Sequence, residues 1–325
     1  MNKLYKSRSV GSITRENHKY YVECDEIDTP NRLQIIQLLK EQHDEDSKVL
    51  LAYLNEMDGK INVVVKMGKS NATIQNEYNI SLILSAKECP GFIQFRCLFS
   101  CYDKPGKQQN SREICKQNAT TGIKRDVLIM NYIPGGSIEA HAWSESNFHI
   151  LRSLLIQSIF SCVLAYERTG FIHYDLHLGN ILIKRTKHTT SEYEINGQIY
   201  ETQTNNYLPI IMDYAEGCQV SADADCLPWE NCTVSKDRMP PHNHFWDSID
   251  NTINRVKYDL KTKNKDFIKT NLDNVSRFIL QNKNKDYLKA LDIVPMIESA
   301  EFWIEKRMQT MTYDPNVFGG GNKTK

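Results

Sequence analysis

The 325-residue sequence lacks an excess of either charge: 40 lysines and arginines balance 40 aspartates and glutamates. No whole-chain field then favours nucleic acid or an anionic membrane, and any phosphate binding has to be local. No apolar run is expected to reach the roughly 18–20 residues that cross a bilayer, and the start MNKLYKSRSVGS has no apolar signal-peptide core. Both absences point to an intracellular, cytoplasmic chain with no membrane or nucleic-acid partner. Among nine cysteines there is no Cys-x2-Cys pair. The odd count and irregular spacing favour reduced thiols over a disulfide framework, and argue against a thiolate zinc site. No internal repeat is visible.

The length suits one large domain or two lobes. The first forty or so residues are polar and poorly periodic apart from RLQIIQLL, which fits a strand or a short helix equally. KVLLAYL and INVVVKM flank an Asp-Gly turn signal and predict a hairpin ending at Lys66. TIQNEYNISLILSAKEC places Ile74, Tyr78, Leu82 and Ile83 at helical spacing, and PGFIQFRCLFSCY predicts a strand after a Pro-Gly break. A polar stretch over 102–125 reads as an exposed loop, and DVLIMNYI as a buried strand running into PGGS, the best boundary between lobes.

The segment NFHILRSLLIQSIFSCVLAYERTG puts Phe148, Leu151, Leu155, Ile159 and Val163 on one stripe, with Ser144 or Ser146 as N-cap and Gly170 as stop signal. It leads directly into GFIHYDLHLGNILIK. Beyond that lie the strand ILIKR, the Asn-Gly hairpin YEINGQIYE and the strand LPIIMDY, which ends at Asp213. From 245 onward the pattern is helical and rich in lysine and asparagine, which reads as solvated helix faces.

His173-x-Asp175-x4-Asn180 after a long helix, then a strand, then Asp213 at another strand end, resembles the catalytic core of the protein kinase-like family. That family carries His-Arg-Asp-x4-Asn and Asp-Phe-Gly; here they read HYDLHLGN and DYA. The resemblance implies a bilobal α+β fold. Residues 1–131 would form a small antiparallel-sheet N-lobe with one main helix, 1–40 being an atypical extension. Residues 132–315 would form a mainly helical C-lobe with an inserted hairpin near 186–207, and 316–325 a flexible tail.

The resemblance also implies ATP and Mg2+, because phosphoryl transfer needs an aligned acceptor and metal ions that neutralise the phosphate oxygens. Asp175 would accept or orient the acceptor proton, and Asn180 and Asp213 would hold the metal. Lys66 would contact the α- and β-phosphates and be oriented by Glu77. Asn131 to Ile133 would offer backbone groups to the adenine, with Met130 lining the pocket. His173 reads as a structural brace; His177 is either a loop histidine without a role or a replacement for a phosphate-contacting lysine.

Several family features are missing. QHDEDSK stands where Gly-x-Gly-x-x-Gly is expected, and Asp44, Glu45 and Asp46 would repel phosphate, so that segment either turns outward or weakens nucleotide binding. Tyr174 replaces the arginine that pairs with an activation-loop phosphate, Ala215 replaces the motif glycine, and no Ala-Pro-Glu follows. HYDLHLGNILIK with its inserted hairpin resembles the serine/threonine protein kinases of large nucleocytoplasmic DNA viruses. This implies a protein substrate with a serine or threonine hydroxyl, in host cytoplasm or virion. Asp-Leu-His-x-Gly-Asn also resembles small-molecule kinases of the choline and aminoglycoside type, whose acceptor is a small hydroxylated molecule. A pseudokinase that binds without turnover is the third reading, and the oligomeric state stays open.

Overall fold

The computed structural model describes residues 32–42, 47–56, 59–69, 72–102, 122–143, 147–214, 218–219, 281 and 287–298. The chain separates into two compact units, one formed by Asn17–Ser85 with Ile93–Tyr132, the other by Met1–Glu16, Ala86–Phe92 and Ile133–Lys325.

The first unit is a five-stranded antiparallel sheet with one helix. Its strands are β1 (Leu33–Gln42), β2 (Ser47–Glu56), β3 (Gly59–Lys69), β4 (Phe95–Tyr102) and β5 (Lys124–Asn131), in the order β1-β2-β3-β5-β4. The stretch RLQIIQLL, undecided from sequence, lies mostly in the edge strand β1. In β3 the alternation INVVVKM buries Val63, Val65 and Met67, and the period of two turns Lys66 to the opposite face. These three residues join Leu50, Ala52, Leu54, Phe99, Val127 and Ile129 in one core. β1 and β2 remain paired as far as Gln42 and Ser47, so only residues 43–46, outside the described set, connect them.

Helix α1 (Ala72–Ala86) carries the expected helical spacing with a different inward stripe. Ile74, Glu77, Ile80, Ser81 and Leu84 are buried, whereas Tyr78, Leu82 and Ile83 are only partly so. Glu77, expected from sequence only as the partner of Lys66, lies on the buried side of the helix. The Ser81 hydroxyl donates to Ile93 O and accepts from Phe95 N, tying the helix to the entry of β4.

Two expectations are corrected by the structure. Cys97 and Cys101 are disulfide-bonded rather than reduced. They lie four residues apart on one face of β4, about 13 Å along a strand, and a disulfide spans at most about 7 Å between Cα atoms. They therefore do not bridge each other. Counting cysteines could not reveal this, because parity does not determine pairing. Cys89 and Cys162 are free, and burial pushes each thiol up to about 12.

The second correction concerns apolar length. His149–Thr169 is long and apolar enough to cross a membrane by composition, but 83% of its most apolar window is buried within the protein, as in the core helix of a folded domain. This helix, α2 (Phe148–Thr169), is surrounded on nearly every side, from Ile150 to Ala165. Its N-cap is Asn147, whose carbonyl accepts from Ile150 and Leu151, rather than Ser144 or Ser146, which lie outside the described residues. Gly170 ends it as expected, at φ 67 with its N–H on Tyr166 O; this left-handed stop needs no Cβ.

After α2 come β6 (Phe171–Ile172), β7 (Ile181–Arg185), the hairpin β8 (Thr190–Ile195) with β9 (Gln198–Gln203), β10 (Tyr207–Ile211) and β11 (Cys218–Gln219). β10 pairs with β7 and β11 with β6. Asn196 (φ 50) and Gly197 (φ 72) form the two-residue turn, whose positive φ values suit these residues. The hairpin rests on α2 through stacked Phe160 and Tyr193 rings, 5.1 Å apart, and through Gln157, which donates to Tyr207 O and accepts from Ser191. The helical pattern expected beyond 245 is described only at the 3-10 turn Tyr287–Asp292 and at α3 (Ile293–Glu298). Elsewhere that stretch, like the tail at 316–325, lies outside the described residues, as does Ala215.

Candidate functional site

In the sheet unit, Lys66 Nζ donates to Glu77 Oε2 at 2.8 Å. Strand β3 and helix α1 supply one partner each. The lysine is 21% exposed and the carboxylate 1%. A carboxylate that deep stays charged only when a cation compensates it, so the pair holds the lysine in one direction with its head partly open to solvent.

At the end of β5, Met130 is buried and Asn131 is bound on two sides. Its N–H donates to Gln94 O at 3.3 Å, and its Oδ1 accepts from Arg96 Nε at 2.7 Å. The same guanidinium donates to Glu56 Oε1 at 2.7 Å, and both groups of this pair are largely buried. The amide N–H of Asn131 is thus directed at Gln94 O. Arg96 and Glu56 were not singled out from sequence; they are 40 residues apart and no local spacing links them. Ile133 is half-buried and belongs to the other unit.

In that other unit, PGGS is a packed corner. An added Cβ on Gly135 would fall 1.9 Å from Ile183 O, so only glycine fits there. Ile183 N donates to Gly136 O, Ser137 bridges Leu182, and His141 Nε2 donates to Gly135 O at 2.6 Å. Partial burial lowers the His141 pKa, outweighing the carbonyl that raises it.

The loop HYDLHLGN follows β6 and is tied together by its backbone. Asp175 N donates to His173 O at 2.8 Å across Tyr174, whose φ is 61. That i to i+2 bond with positive φ is the strained form of the γ-turn, and it costs on the order of 1–3 kcal/mol at a bulky residue. No local pattern signals this strain, since tyrosine has no preference for a positive φ. Asp175 emerges 59% exposed. Asn180 is buried at 5% and its Nδ2 donates to Asp175 O at 3.0 Å, with Asp175 Oδ2 at 3.5 Å.

The loop is also fastened to the strand end that carries Asp213. Met212 N donates to Asn180 O at 2.9 Å, and His173 Nε2 donates to Met212 O at 2.8 Å. His173 is fully buried and its Nδ1 has no hydrogen-bond partner. Burial lowers its pKa, although Met212 O, Asp213 and Asp175 pull upward, so the ring is a neutral donor. It packs edge-on against Phe171 and Tyr214, whose hydroxyl donates to Ile211 O. Asp213 itself sits at φ 65, a left-handed conformation that aspartate tolerates better than most residues.

The geometry thus joins Asp175, Asn180 and Asp213 through a few hydrogen bonds in one unit, and Lys66 with Glu77 in the other. Among the described residues no group of three His, Cys, Asp or Glu side chains could hold a metal unaided. The donor set nevertheless suits Mg2+, which binds one or two protein oxygens and completes its shell with phosphate and water. Because Asn180 Nδ2 is committed to Asp175, its Oδ1 is the side-chain atom that could serve as a ligand.

The comparisons with known proteins agree with a kinase-like domain of mixed α+β build. Residues 118–217 match the ABC1 atypical kinase-like domain. The chain is 25% identical over 182 residues to mouse serine/threonine-protein kinase haspin, covering 47% of this chain and 24% of haspin. It is 36% identical over 96 residues to uncharacterized protein 038R of Invertebrate iridescent virus 3, covering 28% and 18%. Uncharacterized protein ZK177.2 of Caenorhabditis elegans is 25% identical over 131 residues, 40% of each chain. In each case the chain spans well under two thirds of the relative.

Proposed function

We propose that the chain is an ATP- and Mg2+-dependent phosphotransferase that moves the γ-phosphate to a serine or threonine hydroxyl of a protein. The observation that carries this reading is the linkage of Asp175, Asn180 and Asp213 through Asn180 Nδ2, Met212 N and His173. A scaffold without chemistry has no need to fasten two acidic residues and a carboxamide at the cost of two left-handed backbones. Similarity to haspin, a serine/threonine kinase by name, favours a protein acceptor.

In this reading Asp175 orients the acceptor hydroxyl. As the oxygen attacks the γ-phosphorus, its proton passes to the Asp175 carboxylate, and the bond to the β-phosphate oxygen breaks to release ADP. Asn180 Oδ1 and Asp213 would hold Mg2+, which supplies charge neutralisation on the phosphate oxygens. Lys66, aimed by Glu77, compensates the α- and β-phosphates.

Labelled ATP with generic protein substrates tests the assignment. Asp175→Asn is expected to lower kcat by about 10²- to 10⁴-fold, the usual weight of a general base; unchanged incorporation would rule out the role. Release of ADP only with small hydroxylated metabolites would move the acceptor to the choline or aminoglycoside type. A binding module without turnover is favoured by one observation, the four-residue connection between β1 and β2 where the family keeps a glycine-rich loop. Calorimetric ATP binding without any turnover would select it.

A further inference from the structure

His177 lies in the same loop and the reading above gives it no part. Its two ring nitrogens face different groups. Nδ1 accepts from Gly179 N at 3.0 Å, making His177 the N-cap of the 3-10 turn Leu178–Asn180. A nitrogen that accepts from an N–H carries no proton, so the neutral ring carries its proton on Nε2. Nε2 in turn stands 3.8 Å from Asp175 Oδ2. The ring is seated: a Cβ on Gly179 would fall 2.6 Å from His177 Cε1 and 2.7 Å from Glu139 Oε2, so the glycine leaves space that ring and carboxylate fill.

From this we infer that His177 is a positioning residue for Asp175, its Nδ1 shaping the turn that carries Asn180 and its Nε2–H directing the Asp175 carboxylate. The inference rests on the phosphotransfer reading for its catalytic consequence. The gap of 3.8 Å is longer than a hydrogen bond. Asp175 is more than half exposed, and a small rotation of its side chain closes the gap, as such contacts tighten when a substrate is bound. Restricting the carboxylate to the rotamer that meets the acceptor hydroxyl acts on orientation, where a misplacement of about 1 Å can cost about 100-fold in rate.

Two substitutions in the full-length chain separate the two nitrogens. H177N places an acceptor where Nδ1 was, keeping the cap and removing the distal donor; H177Q reaches the place of Nε2 with an N–H and gives up the cap. The expected result is a wild-type melting temperature and about a 10- to 100-fold lower kcat for H177N, with KM for ATP unchanged. H177Q is expected to melt lower and to recover most of kcat. Equal kcat in the two variants, or wild-type kcat in H177N, overturns the inference, since a purely capping histidine would be replaced by asparagine without loss.

A readout free of turnover keeps this distinct from the phosphotransfer reading. If the wild-type chain transfers no phosphate, that reading fails. The positioning claim is then judged on the NMR signal of the Asp175 carboxylate carbon, expected to move in H177N and to return toward wild type in H177Q. A signal indifferent to both variants overturns it.

Discussion

Lys66 and Glu77 are held by regular secondary structure, whereas Asp175 and Asn180 are held by a loop that departs from it. In the sheet unit the backbone is ordinary strand and helix, and the unusual feature is a side chain, a carboxylate buried to 1% beside its cation. In and around the loop the unusual feature is chiefly the backbone, with positive φ at Tyr174 and at the neighbouring Asp213, and glycine forced at Gly135 in the adjacent corner. The first arrangement depends on charge compensation, the second on shape. Deleting a charge should therefore do most damage in the sheet unit, and adding an atom should do most damage around the loop.

The largest effect is expected at Lys66. Lys66→Met leaves the Glu77 carboxylate buried without its cation, and breaking a buried pair in this way costs about 3–5 kcal/mol, toward the low end here because the lysine head is partly solvated. Glu77→Gln strands only that partly exposed ammonium and should cost about 1 kcal/mol. Urea denaturation of both variants checks the asymmetry; equal losses would mean that burial of the carboxylate does not set the energetics. Phosphate transfer should fall about 10²- to 10³-fold in Lys66→Met, as on removing a preorganised charge contact.

The same contrast explains what could be read in advance. The β2–β3 hairpin, both long helices, the Gly170 stop and the Asn-Gly turn follow from periods of 2 and 3.6 and from local turn chemistry, which a sequence displays directly. The inward stripe of α1 departs from the apolar spacing because it includes Glu77 and Ser81, and a charged residue enters a core stripe only when a partner on another strand permits it. Arg96 bridging Glu56 and Asn131, Cys97 and Cys101 in disulfides, and Gly135 against Ile183 depend on residues distant in the chain. The spacing of Asp175, Asn180 and Asp213 was visible, but its backbone support was not. Neither the γ-turn at Tyr174 nor the two atoms of His177 leave any compositional trace.

Gly135 gives the intermediate effect. Gly135→Ala has no charge to disturb and no positive φ to strain, yet its methyl group would overlap a backbone carbonyl of β7, which cannot rotate away. Overpacking of this kind costs about 1–3 kcal/mol, and the displacement should propagate through Gly136 O and Ser137 to β7, which begins immediately after Asn180. Thermal denaturation measures the loss. Gly197→Ala is the control: nothing lies within 4 Å of its Cβ, and only the φ of 72 opposes it, so a larger loss there than at Gly135 would show that backbone conformation, rather than space, dominates.

The smallest effect is the pH dependence of His173. The folded chain keeps this ring neutral because burial holds its pKa below the ordinary value of 6.5, while the unfolded chain takes up a proton near that value. Below pH 6.5 the unfolded state binds more protons, so stability is fully present above that pH and is lost as the pH falls from it toward the folded pKa. One proton contributes at most about 1.4 kcal/mol per pH unit. His173→Gln retains a donor for Met212 O but cannot titrate, so its melting temperature should fall less steeply than that of the wild-type chain between pH 6.5 and 5, from a lower starting value. Parallel curves would assign the acid sensitivity to other groups and leave His173 a brace that shape alone explains.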